Sequence, residues 1–439
     1  MRRTMLLCLA IILLSATISS GRSAAPSDAG EMSPPSGTIP ATLFGMHIHV
    51  RGPHAPWPTV TFGSFRMLEN LTSWAAVNTG PGTYNWRVVD AILAALKEHG
   101  VDDVVYTFDK TPSWASAHPD HDCVEPGPMS AMHVAHKMFP GLCDPPSDLN
   151  PDGSGSDQHW KDYVTAIVTH AKNSRGARIK YWEIWNEPHN TWYWTGTYPQ
   201  MVRMAKDANS IIKSIDSDAL VLSPSGSPKF LEGFLAAGGG QYVDVIADHG
   251  YIHSGRPGDF PYPPKFISVV KQKREIMARY GAGNKPLWDT EGSWGNAQRM
   301  GFDEDYQEAF LAQYYILHWS LNVPRFYWFA WNDGAVGTLW IQQPGNPEAG
   351  TVAKAASAYN EIYRWLVGAT MTRACSLDGG VWSCGLTRDG REQIVAWADH
   401  DPRNYTPKSP LKRMRDIDGN ESAVSGPIKV GAKPVLLSQ

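Results

Sequence analysis

Between residues 43 and 366 two kinds of pattern alternate along the chain, and few folds accept that rhythm. Short runs rich in β-branched and aromatic residues fall at 43–50, 63–68, 104–108, 179–185, 219–223, 243–249, 285–291 and 325–331. Their length and composition predict strands. Helical periods separate them at 87–99, 158–173, 198–215, 230–237, 266–280 and 303–320, and one more follows at 353–366. Strands alternating with helices build parallel sheets, and eight of them close into a (β/α)8 TIM barrel, an α/β fold assigned to residues 41–368. Residues 369–439 lose the helical period and keep only short alternating runs, such as 393–398, cut by Asp, Gly and Pro. They predict a small C-terminal β-sandwich.

The ends of the chain and its cysteines indicate a compartment. Arg2 and Arg3, an apolar stretch from Met5 to Leu14 and the small residues Ser23, Ala24 and Ala25 make a secretory signal of residues 1–25. The stretch is too short to span a bilayer comfortably. Residues 26–40, rich in Ser, Pro and Gly, predict a disordered leader. Without Cys8, four cysteines remain, Cys123, Cys143, Cys375 and Cys384. An even number suits disulfides in an oxidising compartment. Of three possible connectivities the local one, Cys123–Cys143 with Cys375–Cys384, is favoured. The expectation is a secreted protein, periplasmic or extracellular, with no membrane segment in the mature form. A net charge of −4 with 19% charged residues leaves no basic footprint for nucleic acid. The 18 Trp and 17 Tyr tilt the reading toward carbohydrate, because ring faces stack on sugars, although they also fill cores.

Two carboxylates then stand out. Tyr181-Trp182-Glu183-Ile184-Trp185-Asn186-Glu187-Pro188 delivers Glu187 to the end of the fourth strand, and Glu291 closes the seventh. In a closed barrel both ends lie on one rim. Paired carboxylates flanking a glycosidic bond are what acetal hydrolysis requires, one as proton donor and one to meet the anomeric carbon. The donor must hold its proton near neutrality, and aromatic surroundings that exclude water are expected to raise its pKa.

That octet, with Asp289-Thr290-Glu291-Gly292 and Thr111-Pro112-Ser113-Trp114-Ala115, resembles the clan A glycoside hydrolases and within them family 39. The resemblance covers most of residues 41–368. It implies a retaining, double-displacement cleavage of an oligo- or polysaccharide, with Glu187 as acid/base, Glu291 as nucleophile and no cofactor. Asn186 matches the amide that contacts the sugar 2-hydroxyl, and Arg66 the arginine that orients the nucleophile. His249 and Tyr251 match the pair beside it, and Trp331 the floor of the first sugar subsite. His49 and Trp114 stand at the mouth as further substrate contacts. The chain departs from the family's xylosidases in the long loop at 116–155 and in Trp192-Tyr193-Trp194.

Plainer readings stay open for several of these. Arg66 fits a buried ion pair, His249 a structural histidine, and Trp192 and Trp194 loop packing. His47 and His49, two apart on one strand face, also fit a metal-dependent amidohydrolase barrel. A catalytically inactive carbohydrate-binding barrel is the third possibility.

Overall fold

The structure, a computed structural model, describes residues 33–49, 57–68, 71–124, 140–252, 257–258, 260–343, 345–407 and 411–439. The expected signal at 1–25, residues 26–32 of the leader and the middle of the 116–155 loop lie outside these residues.

Eight parallel strands form the barrel: β1 (Phe44–Met46), β2 (Ser64–Met67), β3 (Val104–Thr107), β4 (Ile179–Glu183), β5 (Leu220–Leu222), β6 (Ile246–His249), β7 (Leu287–Gly292) and β8 (Phe326–Trp328). Hydrogen bonding links them in the order β5-β4-β3-β2-β1-β8-β7-β6. Ser223 N–H donates to the Val245 carbonyl at 2.9 Å, which joins β5 to the start of β6 and closes the ring. Around it pack α1 (Arg87–Glu98), α2 (Gln158–Asn173), α3 (Tyr198–Ile215), α4 (Pro228–Ala236), α5 (Lys265–Arg279), α6 (Glu304–Ser320) and α7 (Lys354–Leu366). Among the described residues no helix separates β1 from β2. The other connections follow the strand–helix pattern expected from sequence.

The two-residue period of a strand sorts side chains into barrel interior and helix-facing exterior. On β4, Trp182 faces outward against Tyr106 and Phe108, while Tyr181 and Glu183 face inward. The interior is stacked in layers, as barrels of this size require. At the floor, the Arg325 guanidinium pairs with Asp103, donates to the Tyr181 hydroxyl at 2.9 Å and lies 4.5 Å from the Trp288 ring centroid. Above it comes an apolar layer of Val105, Leu222, Val245, Ala247, Trp288 and Tyr327. The next layer is polar and carries Arg66, Glu183, Thr107 and Thr290. An apolar plug under a charged layer keeps water out from below, so the charges are strong.

The C-terminal region is a six-stranded antiparallel sheet of Thr370–Asp378, Val381–Arg388, Arg391–Ala398, Val435–Ser438, Arg413–Arg415 and Glu421–Ala423, in that spatial order. Along its third strand Ile394, Ala396 and Ala398 face a small core shared with the ribbon of Arg403–Tyr405 and Ile428–Val430. Val395 and Trp397 face the barrel's helices instead. That alternation makes the sheet the middle layer of a small sandwich docked on α6 and α7. Cys375 N–H donates to Ser320 Oγ, and Lys433 pairs with the fully buried Glu308 at 2.6 Å. Both disulfides take the local pairing, Cys123–Cys143 and Cys375–Cys384. No helix among the described residues is long and apolar enough to cross a membrane.

Several boundaries differ from expectation. The leader is already ordered before residue 41: Thr38 bridges Thr370, and Ile39, 1% exposed, bonds Ala369. An apolar residue among the Ser, Pro and Gly found a core to enter. Strand β8 stops at Trp328 instead of 331, where the chain bends through a cis Phe329–Ala330 peptide and Trp331 N–H bonds the His47 carbonyl. A hairpin of Trp340–Gln343 and Asn346–Val352 follows, over residues to which no element was assigned from sequence.

Candidate active site

The site grows from the polar layer upward. Arg66, on β2, is 1% exposed and points into the barrel. Its guanidinium reaches three partners: Nε donates to Glu183 Oε2 at 2.6 Å, Nη1 to Glu291 Oε2 at 2.9 Å and Nη2 to Asn186 Oδ1 at 2.9 Å. The planar fork thus spans strands β4 and β7. Glu183 is fully buried and also accepts from Thr107 and Thr290 hydroxyls at 2.8 and 2.9 Å. Burial works against its charge, but Arg66 and the hydroxyl outweigh it, and its pKa lies below the ordinary value.

Glu291 receives Arg66 on one oxygen and the Tyr251 hydroxyl, at 3.0 Å, on the other. Burial, then the charges of Glu291 and Glu187, push the Tyr251 pKa well up, so it stays a neutral donor. Asn186 gives its carbonyl oxygen to Arg66, an orientation that presents Nδ2 as a donor. Glu187 stands beyond it with φ +41, a left-handed conformation uncommon outside glycine, which turns the chain sharply into Pro188. Its Oε1 meets His249 Nδ1 at 2.9 Å and its Oε2 accepts from Asn190 at 3.0 Å. His249 Nε2 lies 3.9 Å from Glu291. One oxygen from each glutamate and one nitrogen of His249 all lie within 4.8 Å of one another.

The expected rise in the Glu187 pKa is not found. Burial does oppose its charge, but the hydrogen bond and charge of His249, with His189 and Arg66, hold the carboxyl below its usual 4.5. The reason is contact: Glu187 touches an imidazole and an amide, and Trp185 turns its N–H away to the Tyr193 carbonyl. His249 moves the other way. Burial lowers it, yet Glu291 and Glu187 raise it above its usual 6.5.

Each sequence candidate can now be placed. Glu187, Glu291, Asn186, Arg66, His249 and Tyr251 form one connected cluster. Trp331 is 1% exposed and offers almost no open ring face. Trp114 donates to the Asn78 carbonyl at 2.9 Å and packs edge-on against His159, outside the cluster's hydrogen bonds. His49 lies 3.3 Å from Asp333. His47 Nε2 is on the Thr290 carbonyl at 3.0 Å, and burial, then Arg66, lowers its pKa well below 6.5. The two histidines therefore have separate partners and flank the Phe329 ring. Trp194 is buried against Trp185, the packing alternative, and Trp192 tilts on Tyr193.

Glu183 was not singled out from sequence. Its signal is a lone acid at an inward position of an apolar strand, opposite an arginine two strands away. Two described groups have donor spacing that admits a metal ion: Glu187, His249 and Glu291, and His121 and Asp144 with Cys123 and Cys143. In the second the sulfurs are bonded to each other. In the first, Arg66, Tyr251, His249 and Asn190 already serve the carboxylates.

No protein-family model matches the chain, and no curated protein sequence matches it. Solved structures do. A family 39 glycoside hydrolase from the gut symbiont Bacteroides cellulosilyticus WH2 superposes with a TM-score of 0.62 at 18% identity, covering 91% of this chain and 81% of its own. The fold is that of these glycoside hydrolases. A family 39 β-xylosidase from Caulobacter crescentus gives 0.56 at 16% identity, with 93% and 98% covered. A family 30 endoxylanase from Clostridium papyrosolvens C71 gives 0.57 at 16%, with 93% and 97% covered. Family 39 similarity therefore extends across nearly the whole chain as a fold, at low identity.

The histidine bond to Glu187 has a measurable signature. A raised His249 pKa contributes stability that is complete below 6.5 and lost as pH climbs through the raised value. A lowered Glu187 pKa contributes stability present above 4.5 and lost as pH falls through the lowered value. The stability difference between wild type and His249→Asn is therefore expected to be widest between 4.5 and 6.5 and to narrow on either side. At its widest it should reach about 2 kcal/mol, the scale of a hydrogen bond to a charged group. Urea unfolding at a series of pH values measures it.

Proposed function

We propose that the protein is an exported retaining glycoside hydrolase, with Glu291 as nucleophile and Glu187 as acid/base. The observation that carries the reading is the approach of the two carboxylates, with oxygens within 4.8 Å. Retaining enzymes hold their carboxyl groups about 5–5.5 Å apart, whereas inverting ones need about 6.5–9.5 Å to admit a water. Two disulfides and a signal-like N-terminus support export.

Arg66 and Tyr251 fix Glu291 for attack on the anomeric carbon. Asn186 Nδ2 is placed to hydrogen-bond a sugar hydroxyl. The pair Glu187–His249 carries one proton across a 2.9 Å hydrogen bond. With solvent present it rests on His249. A bound sugar that expels water disfavours the separated charges, so the proton crosses to Glu187, which then protonates the departing oxygen. Once Glu291 is esterified its negative charge is gone, and Glu187 is left to deprotonate the incoming water. The proton is available up to the raised His249 pKa, so kcat/KM is expected to fall on the alkaline side with an apparent pKa above 6.5. In His249→Asn that limb should move to lower pH.

The test is a panel of aryl glycosides, starting with β-xylosides because two of the structural neighbours are named as a xylosidase and a xylanase. Glu187→Gln should lose about 10³–10⁴-fold with a phenolic leaving group that needs a proton and far less with dinitrophenolate. An equal loss on both would remove Glu187 from the role of acid.

A further inference from the structure

We infer that the leaving group is a saccharide chain of at least two units, seated in a groove that runs from Glu187 across the rim to the bridged loop. This rests on the assignment of Glu187 as the acid. The acid stands on the side from which the leaving group departs, and the chain just after it, Pro188 and His189, lines a groove of about 650 Å³ together with Trp194, Gly196, Tyr198 and Lys229. A second groove of about 710 Å³, lined by Ala117, His118, His121 and Asp144, continues from it, with Thr195 forming part of both walls. Together they are far larger than one aglycone requires.

The inner groove holds an unmet donor. Trp194 is 3% exposed, and its indole N–H has no partner among the described residues. Gly196 packs its backbone against that edge of the ring: a Cβ there would sit 2.4 Å from Trp194 Cζ2 and 2.6 Å from Cε2, the atom bonded to the nitrogen. A buried N–H without an acceptor is costly, and a sugar hydroxyl or ring oxygen supplies one. Aromatic edges from Tyr198 and Phe230, with Lys229 and Thr191, complete a lining of mixed character suited to a polyhydroxylated ligand.

The outer groove is built to stay put. The Cys123–Cys143 disulfide closes the loop. Thr195 then ties it to the segment after β4, donating its N–H to the Cys143 carbonyl at 2.8 Å and its hydroxyl to Asp144 at 2.6 Å. Asp144 also meets Nδ1 of His121 at 2.7 Å and of His118 at 3.2 Å. A wall fixed in advance spends little entropy on binding a flexible chain. Both segments are those in which the sequence departs from the family's xylosidases.

The test uses xylobiose, xylotriose and xylotetraose tagged at the reducing end, or the corresponding series of whichever sugar the aryl panel identifies. Expected is a rise in kcat/KM of at least tenfold from the disaccharide to the tetrasaccharide, with tagged products of two or more units released. Trp194→Phe removes only the indole donor and part of the ring, and Lys229→Ala alters an exposed side chain that cannot unfold the barrel. Each should cut the ratio of tetrasaccharide to aryl-glycoside kcat/KM by threefold or more. A flat series, or a rise untouched in both variants, overturns the inference while leaving the Glu187 and Glu291 assignments standing. Loss of aryl-glycoside turnover in the wild type itself would overturn both.

Discussion

Glu291→Gln is expected to lower kcat/KM by about 10⁴-fold or more while the barrel stays folded. The size follows from the proposed role of Glu291 as nucleophile, a group that cannot be replaced by an amide. The folded state survives because Arg66 keeps Glu183 at 2.6 Å and Asn186 at 2.9 Å, and a glutamine oxygen can still accept from Arg66 or Tyr251. Aryl-glycoside kinetics with a thermal melt separate the two effects. A Tm close to wild type with activity gone is the expected pattern, and an active variant would remove Glu291 from the mechanism.

Arg66→Met should have the largest effect on stability. It strands Glu183, which is 0% exposed, with only the hydroxyls of Thr107 and Thr290 as donors. Removing one partner of a buried charge pair costs about 3–5 kcal/mol, because the remaining charge has lost its solvation. Activity should vanish as well, since Glu291 and Asn186 lose the same anchor. Glu183 has a lowered pKa, so its contribution in wild type is present above 4.5 and lost as pH falls through the lowered value. The gap between wild type and Arg66→Met is therefore widest near neutrality and narrows in acid. Arg66→Lys should recover only part of it, because one ammonium cannot serve three acceptors in a fork. Urea unfolding at neutral and acid pH is the measurement.

Much of this was legible in the sequence because a barrel places function at strand ends. Glu187, Glu291, Arg66 and His249 each stand at or just past the end of an apolar run, with Tyr251 just beyond, and eight such runs define one rim. What escaped was whatever depends on inward neighbours. Glu183 closes β4 inside the same octet as Glu187, where the later glutamate drew the reading, and only the barrel's closure brings it to Arg66. The Glu187 pKa was misjudged for the same reason, since the aromatic residues around it in sequence are not its contacts, and His249 is 62 residues away. Trp331, expected as the floor of the first sugar subsite, is 1% exposed beyond the end of β8. Helix α6 shows the converse case. It is buried on nearly every side between the barrel and the C-terminal sheet, so its apolar pattern identified a helix without marking a solvent face.

The central claim is that Glu291 forms a covalent bond to the sugar, and trapping that bond tests it most directly. A 2-deoxy-2-fluoro glycoside of the sugar cleaved in the aryl panel, carrying a dinitrophenolate leaving group, slows both steps and lets the intermediate accumulate. Intact-protein mass spectrometry with peptide mapping reads the result. Expected is a single added glycosyl unit on the peptide containing Glu291, absent in Glu291→Gln. A label on another residue, or product released with inverted configuration and no adduct, would contradict it.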